Sequence, residues 1–340
     1  MPSGPTGDNR GEPPGPSSAP PATSAAGAAP SPAVDLNGLR LPTPALVASG
    51  CFGPELGQLS DIRKLGGIVT RTITLEPTRG AATPRVAETP SGILSDTGLQ
   101  NEGIDTFLTG ELPALARLGV PVVVSVGGFT APDYMHLTMA LDGQEAVAAI
   151  EVNACCPSRE RGGRWFALTP EGAAEVVGAV ARLTRRPVFG KLTPRVANLV
   201  EVAEACIRAG AHGLTLIHPP QGMAIDVEHF RARLAAGYGA LSGPALRPVA
   251  IWAVHEVSRA FPDVPILGVG GVVTASDALE FLMAGAWAVQ VGSAVFSDPS
   301  APVDVARGIV RFLRDRGLSS VADLRLVMQG IPREPERDGG

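Results

Sequence analysis

Residues Ala149–Ser158 read Ala-Ile-Glu-Val-Asn-Ala-Cys-Cys-Pro-Ser, an apolar run that ends in an amide, two thiols and a proline. Proline lacks a backbone N–H and ends a strand. We therefore expect Asn153 and Cys156 to lie on the loop after the strand, displayed rather than buried. Packing is the alternative interpretation, because buried cysteines are common. An amide beside Cys-Cys-Pro at a strand end favours a functional loop.

Apolar runs of strand length recur from Leu36 onward and alternate with helical patterns. The runs are Ala45–Ala48, Gly67–Thr70, Val122–Val126, Ala149–Val152, Val188–Gly190, Gly213–Ile217, Ile266–Val269 and Ala288–Val291. The helical patterns include Thr169–Leu183, Val196–Ala209, Leu246–Phe261 and Thr274–Ala284. Such continuous apolar runs are typical of parallel strands covered on both faces. Eight β-then-α units over about 290 residues predict a TIM (β/α)8 barrel. A doubly wound open sheet is disfavoured, because no Gly-x-Gly-x-x-Gly follows the first strand.

The barrel is predicted to span residues 35–330. Residues 1–34 are mostly Pro, Ala, Gly and Ser without a signal-peptide core, and they are expected to form a disordered tail. Residues 331–340 combine charges with Pro and Gly and are expected to be frayed.

Composition excludes several classes of protein. The 340 residues carry a net charge of -5 and no Lys/Arg run, which argues against nucleic acid and an anionic membrane surface as partners. No segment reaches the ~18 apolar residues of a membrane span. The four cysteines (Cys51, Cys155, Cys156 and Cys206) show neither Cys-x-x-Cys nor metal-ligand spacing, so we expect no metal, no disulfides and a reducing cytoplasm. The ligand is expected to be a small molecule.

Active sites of such barrels lie at the carboxyl ends of the strands. The residues at these positions are Ser49, Arg71, Ser125, Asn153 with Cys156, Lys191, His218, Gly270-Gly271 and Gly292-Ser293. Glycines after the seventh and eighth strands let a phosphate approach backbone N–H groups. This pattern predicts a phosphorylated ligand, and the alternative is a tight turn at Gly270-Gly271.

Lys191 is predicted to place an ammonium group inside the mouth of the barrel. Such a charge needs an anionic partner, which is either the ligand or a neighbouring carboxylate. Cys156 is a candidate base if nearby cations, Arg71 and Lys191, lower the pKa of its thiol.

The chain resembles the catalytic subunits of class 1 dihydroorotate dehydrogenases, in particular the NAD-linked type, over roughly Leu36–Gln329. Three segments carry the resemblance most specifically: Thr-Leu-Glu-Pro at 74–77, Pro-Arg-Val-Ala-Glu-Thr-Pro-Ser-Gly at 84–92 and Gly-Leu-Gln-Asn at 98–101. Further matches are Asn153 with Cys156-Pro157, Lys191–Pro194, Leu241–Pro244, Gly270-Gly271 and Val291–Ser293.

The resemblance implies an FMN-dependent oxidoreductase that oxidises dihydroorotate to orotate in pyrimidine biosynthesis. It implies Cys156 as the base and Lys191 beside the flavin. The residues implied for FMN are Ser49, Arg71, Ser125, Asn153, Lys191, Ile217, Gly243, Gly270, Gly271, Gly292 and Ser293. Those implied for the substrate are Arg71, Gly98, Leu99, Asn101, Asn153, Ser158 and His218. The family pairs with an iron–sulfur flavoprotein subunit that delivers electrons to NAD, and its barrels tend to form homodimers. This chain lacks cluster-type cysteine spacing.

Several positions depart from the family pattern. Arg71 and Ser125 replace a lysine and an asparagine on the flavin side. On the substrate side, Ser95 and Ser158 replace asparagines, and His218-Pro219 replaces an Asn-Thr pair. Each unpaired polar group costs about 1–3 kcal/mol, so a different dihydropyrimidine or other cyclic substrate is the alternative.

Three further alternatives concern single residues and the class of protein. Cys155, which replaces a serine, is interpreted as a packing residue or as a second thiol. His218 is either a ligand contact and proton donor or a cap on its own loop. A barrel that binds a phosphorylated ligand without catalysis is the alternative from another class.

Overall fold

All eight apolar runs predicted as strands form strands of one closed parallel barrel. The computed structural model describes residues 30–58, 61–157, 159–160 and 162–325. The strands of these residues are β1 (Val34–Leu36), β2 (Leu39–Leu41), β3 (Ala45–Val47), β4 (Gly67–Val69), β5 (Val86–Thr89), β6 (Gly92–Ser95), β7 (Val122–Val126), β8 (Val147–Asn153), β9 (Val188–Leu192), β10 (Gly213–Leu216), β11 (Gln221–Gly222), β12 (Ile225–Asp226), β13 (Arg231–Ala232), β14 (Gly239–Ser242), β15 (Ile266–Val269) and β16 (Ala288–Val291). The barrel order is β10-β15-β16-β3-β4-β7-β8-β9, which confirms the TIM barrel.

Helices follow the barrel strands and cover the outside of the barrel. They are α1 (Gly103–Thr106), α2 (Leu112–Ala116), α3 (Ala131–Asp142), α4 (Pro170–Ala181), α5 (Leu199–Arg208), α6 (Arg247–Ala260), α7 (Ala275–Met283), α8 (Ala294–Ser297), α9 (Ala301–Asp315) and α10 (Ala322–Arg325). A π-helical segment, Phe107–Glu111, joins α1 to α2, and 3-10 turns form at Pro54–Gln58, Ile62–Lys64, Phe166–Leu168 and Pro244–Leu246. The four predicted helices are confirmed as α4 to α7. None of the helices in the described ranges is long and apolar enough to cross a membrane.

Helix α4 begins as its sequence predicts. The Thr169 side chain accepts a hydrogen bond from the Gly172 N–H, and Pro170 occupies the first turn. The Thr169 side chain satisfies one free amide group at the helix start, and Pro170, which has no N–H, leaves one fewer to be satisfied. The local sequence therefore sets the point at which the chain leaves the loop that carries Cys156.

A β-hairpin of β1 and β2 closes the amino-terminal end of the barrel, and the sequence analysis did not predict it. Its turn is Asn37-Gly38, and both residues have positive φ (51° and 102°), as type I′ hairpin turns require. Leu36, Leu39 and Leu41 are buried against the lowest layer of barrel side chains, which includes Phe189 and Leu267. This plug leaves only the carboxyl end of the barrel open for chemistry.

The chain before the hairpin is partly described. The Ser31 N–H donates to the Ser319 carbonyl (2.9 Å), and β1 begins at Val34. Residues 1–29 and 326–340 lie outside the described residues, so the disordered tail and the frayed terminus remain predictions.

Two insertions form a second, antiparallel sheet with the strand order β11-β14-β6-β5. One insertion follows β4 and the other follows β10. Because both leave the carboxyl ends of barrel strands, their shared sheet lies on the open side of the barrel. It pairs Ser95 with Ala240, which brings segments 84–101 and 219–243 together.

Candidate active site

Four polar side chains from four barrel strands meet inside the barrel. Glu151 Oε1 lies 3.3 Å from Lys191 Nζ. Glu151 Oε2 accepts hydrogen bonds from Thr215 Oγ1 (3.0 Å) and from Gln290 Nε2 (3.2 Å). The buried Gln290 Oε1 has no hydrogen-bond partner among the described residues. Because an isolated buried charge is costly, Glu151 is the group that allows Lys191 to be charged here.

This network corrects the predicted setting of Lys191. The lysine lies within β9 rather than after it, and its partner in the structure is the carboxylate of Glu151. Glu151, Thr215 and Gln290 were not among the site residues predicted from the sequence. The signal was present, since a polar residue inside a continuously apolar strand needs a hydrogen-bonding partner.

A second set of polar contacts joins β7, β8 and the segment after β4. Asn153 Nδ2 donates to Thr72 Oγ1 (3.0 Å), which lies 3.1 Å from Ser125 Oγ. Asn153 Oδ1 accepts from the Cys155 N–H (3.1 Å). Both the Nδ2 and the Oδ1 atoms of Asn153 are therefore hydrogen-bonded. Thr72 is a site residue that was not predicted from the sequence.

Cys156 is buried, and so is Asn153, the last residue of β8. The prediction that Cys156 lies on the loop after the strand was confirmed, but the prediction that both side chains are displayed was wrong, because residues 153–156 are all buried. A Cβ atom placed on Gly127 would lie 2.8 Å from Cys156 Sγ, so the thiol packs directly against a glycine backbone.

Burial raises the pKa of the Cys156 thiol to about 11, while hydrogen bonds from the Tyr134 hydroxyl and the Gly128 N–H act to lower it. The prediction that Arg71 and Lys191 lower this pKa was therefore wrong. The groups that favour the thiolate are neutral hydrogen-bond donors. In the structure the single O–H of Tyr134 donates to the Asn153 carbonyl (2.8 Å), so it has to turn from that oxygen to donate to a Cys156 thiolate.

Arg71 follows β4 and faces Glu111 of the π-helical segment. Arg71 Nε lies 3.6 Å from Glu111 Oε2. Burial raises the pKa of the Glu111 carboxyl group, and the charge of Arg71 acts against this. Arg71 Nε and Glu111 Oε1 are buried and make no hydrogen bond within the described residues. Both atoms therefore retain hydrogen-bonding capacity for a ligand.

The predicted glycine turns come together at the carboxyl ends of β15 and β16. Gly270 and Gly271 have φ of +133° and +76°, and a Cβ on Gly271 would lie 2.8 Å from the Gly243 carbonyl oxygen. Gly292 lies beside the loop after β3, since a Cβ there would be 3.6 Å from Ala48 Cβ. These contacts place the turns of Ser49, Gly243, Gly271 and Gly292 around one region.

The predicted substrate loop is held by Asn101. Its Oδ1 accepts from the N–H groups of Thr74 (3.2 Å) and Gly103 (2.9 Å). Its Nδ2 donates to Thr74 Oγ1 (2.8 Å) and to the Leu99 carbonyl (2.7 Å). An amide makes four hydrogen bonds at most, so Asn101 is fully used within its own loop. Gly98 and Leu99 adopt positive φ (60° and 55°) in this loop.

His218 follows β10 and contacts its own loop. Its Nδ1 lies 3.0 Å from the Pro219 carbonyl oxygen, and its ring centroid lies 5.3 Å from that of Trp165. Burial, with Lys191 and Arg195 nearby, lowers the pKa of His218 to about 3. The imidazole is therefore neutral at physiological pH, which favours the loop-capping interpretation.

Three other predicted positions complete the comparison. Ile217 is buried after β10 and donates its N–H to the Val269 carbonyl (3.0 Å). Cys155 is buried in the main core cluster, as the packing interpretation expects. Ser158 lies outside the described residues, so its predicted role is not tested.

This chain is similar to known proteins over most of its length. The family model described as dihydroorotate dehydrogenase matches residues 32–313. The chain belongs to the dihydroorotate dehydrogenase family. A relative from Geotalea daltonii, described as the catalytic subunit of dihydroorotate dehydrogenase B (NAD(+)), is 46% identical over 293 residues, which are 86% of this chain and 96% of the relative. Two relatives have the same description. The one from Trichlorobacter lovleyi is 43% identical over 88% of this chain and 99% of the relative. The one from Desulforudis audaxviator is 44% identical over 86% of this chain and 95% of the relative.

The donors of this dihydroorotate dehydrogenase barrel suit a flavin mononucleotide. A phosphate can approach backbone N–H groups closely only where no side chain stands in the way. Gly270, Gly271 and Gly292 have no side chain, and a Cβ atom at any of them would lie within 4 Å of neighbouring atoms. A flavin ring carries carbonyl and nitrogen acceptors, which the Lys191 ammonium, the Asn153 amide and the free Arg71 Nε can bond. These residues therefore fit the FMN that the family resemblance implies.

Proposed function

We propose that this chain is the FMN-dependent catalytic subunit of an NAD-linked dihydroorotate dehydrogenase, an oxidoreductase that acts on a CH–CH bond. The observation that carries the proposal is the arrangement of Asn153, Cys156 and Lys191 at the open end of a barrel of this family. The reaction converts dihydroorotate to orotate, the step of pyrimidine biosynthesis that the family name describes.

In this proposal the glycine turns, with Ser49 and Ser293, hold the FMN phosphate. Asn153, Lys191, Arg71 and Ser125 hold the flavin ring, and Ile217 and Gly243 lie against it. When bound, FMN supplies the acceptor for the hydride that leaves one carbon of the CH–CH bond.

Cys156 accepts the proton that leaves the other carbon. The thiol needs to be ionised to act as a base, and its pKa of about 11 makes the thiolate a minor species at neutral pH. The Gly128 N–H stabilises that species by a hydrogen bond, and the Tyr134 hydroxyl does so when it turns from the Asn153 carbonyl. Burial of Cys156 excludes water, which protects the proton transfer from exchange with solvent.

On the substrate side we propose that Asn101 acts through the loop it holds. Its four internal hydrogen bonds fix the backbone of Gly98 and Leu99, whose peptide groups are then presented to the substrate. Asn153 and Arg71 contribute side-chain donors, and Ser158 and His218 remain predicted contacts.

A related flavoenzyme acting on another cyclic substrate is the second candidate. The observation that favours it is the replacement of amides by Ser95, Ser158 and His218-Pro219, since His218 faces Trp165 and is neutral. Such a site offers different donors from those of the family pattern.

We also propose a separate electron-transfer subunit and a homodimer. The relatives are described as catalytic subunits, and this chain lacks the cysteine spacing of an iron–sulfur cluster. The segment 219–243 exposes the large apolar side chains Met223, Ile225, Val227 and Phe230, a surface that a second copy would cover. The free cysteines among the described residues support a reducing cytoplasm as the location.

The deciding experiment is an anaerobic absorption spectrum of the purified protein before and after dihydroorotate is added. Bleaching of the flavin band by dihydroorotate supports the proposal. A flavin band that dithionite bleaches and dihydroorotate does not would favour the second candidate. A protein that cannot be loaded with FMN would contradict both.

The Cys156→Ala variant tests the role of the base. It should retain FMN and be reduced by dihydroorotate about 10²–10⁴-fold more slowly, which is the usual contribution of a general base. Reduction at the wild-type rate would remove Cys156 from the mechanism.

A further inference from the structure

Two cations of the predicted site are already matched by carboxylates. Lys191 lies 3.3 Å from Glu151, and Arg71 lies 3.6 Å from Glu111. Each pair contributes little net charge to the open end of the barrel. An anionic substrate therefore needs another positive group, and the sequence analysis did not identify one.

Arg195 is such a group. It comes three residues after the end of β9 and is exposed to solvent. Its guanidinium carbon lies 4.9 Å from the centroid of the Trp165 ring, within the range of a cation–π contact. None of the ion pairs between described residues includes Arg195, so its fork of N–H donors is available to a carboxylate.

The position of Trp165 connects Arg195 with the catalytic loop. Trp165 forms a β-bridge with Pro157, the residue after Cys156, and the next residue, Phe166, donates its N–H to the Cys156 carbonyl (3.3 Å). The rings of Trp165 and His218 are also in T-shaped contact, at an interplanar angle of 73°. Trp165 therefore lies between the base candidate and the end of β10, and Arg195 covers its ring.

The charge of Arg195 also reaches the interior of the site. It contributes to the lowered pKa of His218 and acts to lower the pKa of Cys155, which burial raises. Lys191 acts on both groups in the same direction. The Glu151 carboxylate acts in the opposite direction on Cys155, so the charge of Arg195 is one of several that this thiol experiences.

We propose that Arg195, held over Trp165, selects a substrate that carries a carboxylate group. The inference rests on the proposed function and extends it to the choice of substrate. A guanidinium binds a carboxylate through two parallel hydrogen bonds, and this contact compensates for amide donors that Ser95, Ser158 and His218 do not provide. Arg195 is a specificity residue, and it takes no part in the proton or hydride transfer.

The test compares orotate with orotamide, its uncharged amide, as ligands of the FMN-loaded enzyme. Dissociation constants come from the change in the flavin spectrum on titration. The wild-type protein should bind orotate more tightly than orotamide. Arg195→Gln should reduce this ratio of dissociation constants about 10–100-fold, the contribution of one hydrogen bond to a charged group. Arg195→Lys, which keeps the charge, should retain part of the preference. Weaker binding of both ligands by the same factor in Arg195→Gln would show that Arg195 only supports the loop, and this would overturn the inference.

Arg316 supplies the matched control, because its guanidinium covers the Phe312 ring at 5.3 Å just after α9. Arg316→Gln removes a similar exposed cation and should leave the preference unchanged; an equal loss in this variant would contradict a local role for Arg195. Failure of the proposed function has a different signature, since wild-type holoenzyme would then neither bind orotate nor be reduced by dihydroorotate. An unchanged preference in Arg195→Gln, with wild-type reduction intact, would contradict this inference alone.

Discussion

The Glu151–Lys191 pair inside the barrel should behave as one unit in the stability of the protein. Glu151 is fully buried and Lys191 is nearly so, and 3.3 Å separates their charged atoms. Removing one partner of a buried pair costs about 3–5 kcal/mol, because the other charge is left uncompensated, whereas removing both is often close to neutral. We therefore expect Glu151→Gln and Lys191→Met each to lower the free energy of unfolding by about 3–5 kcal/mol. The double variant should lie within about 2 kcal/mol of the wild type.

The assay is urea-induced unfolding of the FMN-free proteins, followed by tryptophan fluorescence and circular dichroism, so that cofactor binding does not add to stability. Thr215→Val is the matched control, because it removes one hydrogen bond to Glu151 and keeps the shape of the side chain. It should cost about 1.5–3 kcal/mol, the worth of a hydrogen bond to a charged group. If the two single substitutions each cost less than about 1 kcal/mol, or if their effects add in the double variant, the pair is not a coupled buried unit.

Three further predictions concern the glycine turn, the base and the histidine. Gly271→Ala should weaken FMN retention on a desalting column, because its Cβ would lie 2.8 Å from a carbonyl oxygen; Gly317→Ala, with a similar φ of +64° and no neighbour within 4 Å, should leave retention unchanged. The anaerobic rate of flavin reduction by dihydroorotate should rise about tenfold per pH unit from pH 7 towards the Cys156 pKa of about 11, and a flat stopped-flow profile would exclude this thiolate as the base. Below pH 6.5 His218 should be protonated in the unfolded chain but not in the folded chain, where its pKa is about 3. Falling pH therefore favours the unfolded state, and the melting temperature should fall more steeply for the wild type than for His218→Gln.

Local sequence patterns predicted the elements of the barrel because each of them is determined by near neighbours. Continuous apolar runs such as Val122–Val126 are unstable unless both faces are covered, and Thr169-Pro170 begins a helix through contacts two or three residues away. The Asn37-Gly38 hairpin carried an equally local signal that the analysis overlooked.

The positions of the site residues were also predictable, because the carboxyl ends of barrel strands converge whatever their side chains are. The pKa values and hydrogen-bond partners of those residues were not predictable from the sequence. Burial raises the pKa of Cys156, and Tyr134 and Gly128, which act to lower it, lie outside its own segment. Asn101 looked like a ligand residue, and the folded loop uses all of its hydrogen bonds internally.

The eight strands, four of the helices after them and the end of the barrel at which polar residues gather were predictable from the amino-acid sequence. They follow from short-range periodicity and from the handed geometry of parallel strands. Which charges are matched depends on contacts between segments that are distant in the chain. Glu151 meets Lys191 across forty residues, and Gln290 reaches Glu151 across 139. Pairings at such distances arise only when the barrel closes, because closure brings strands together that share no local sequence, and burial then requires every charge to find a partner.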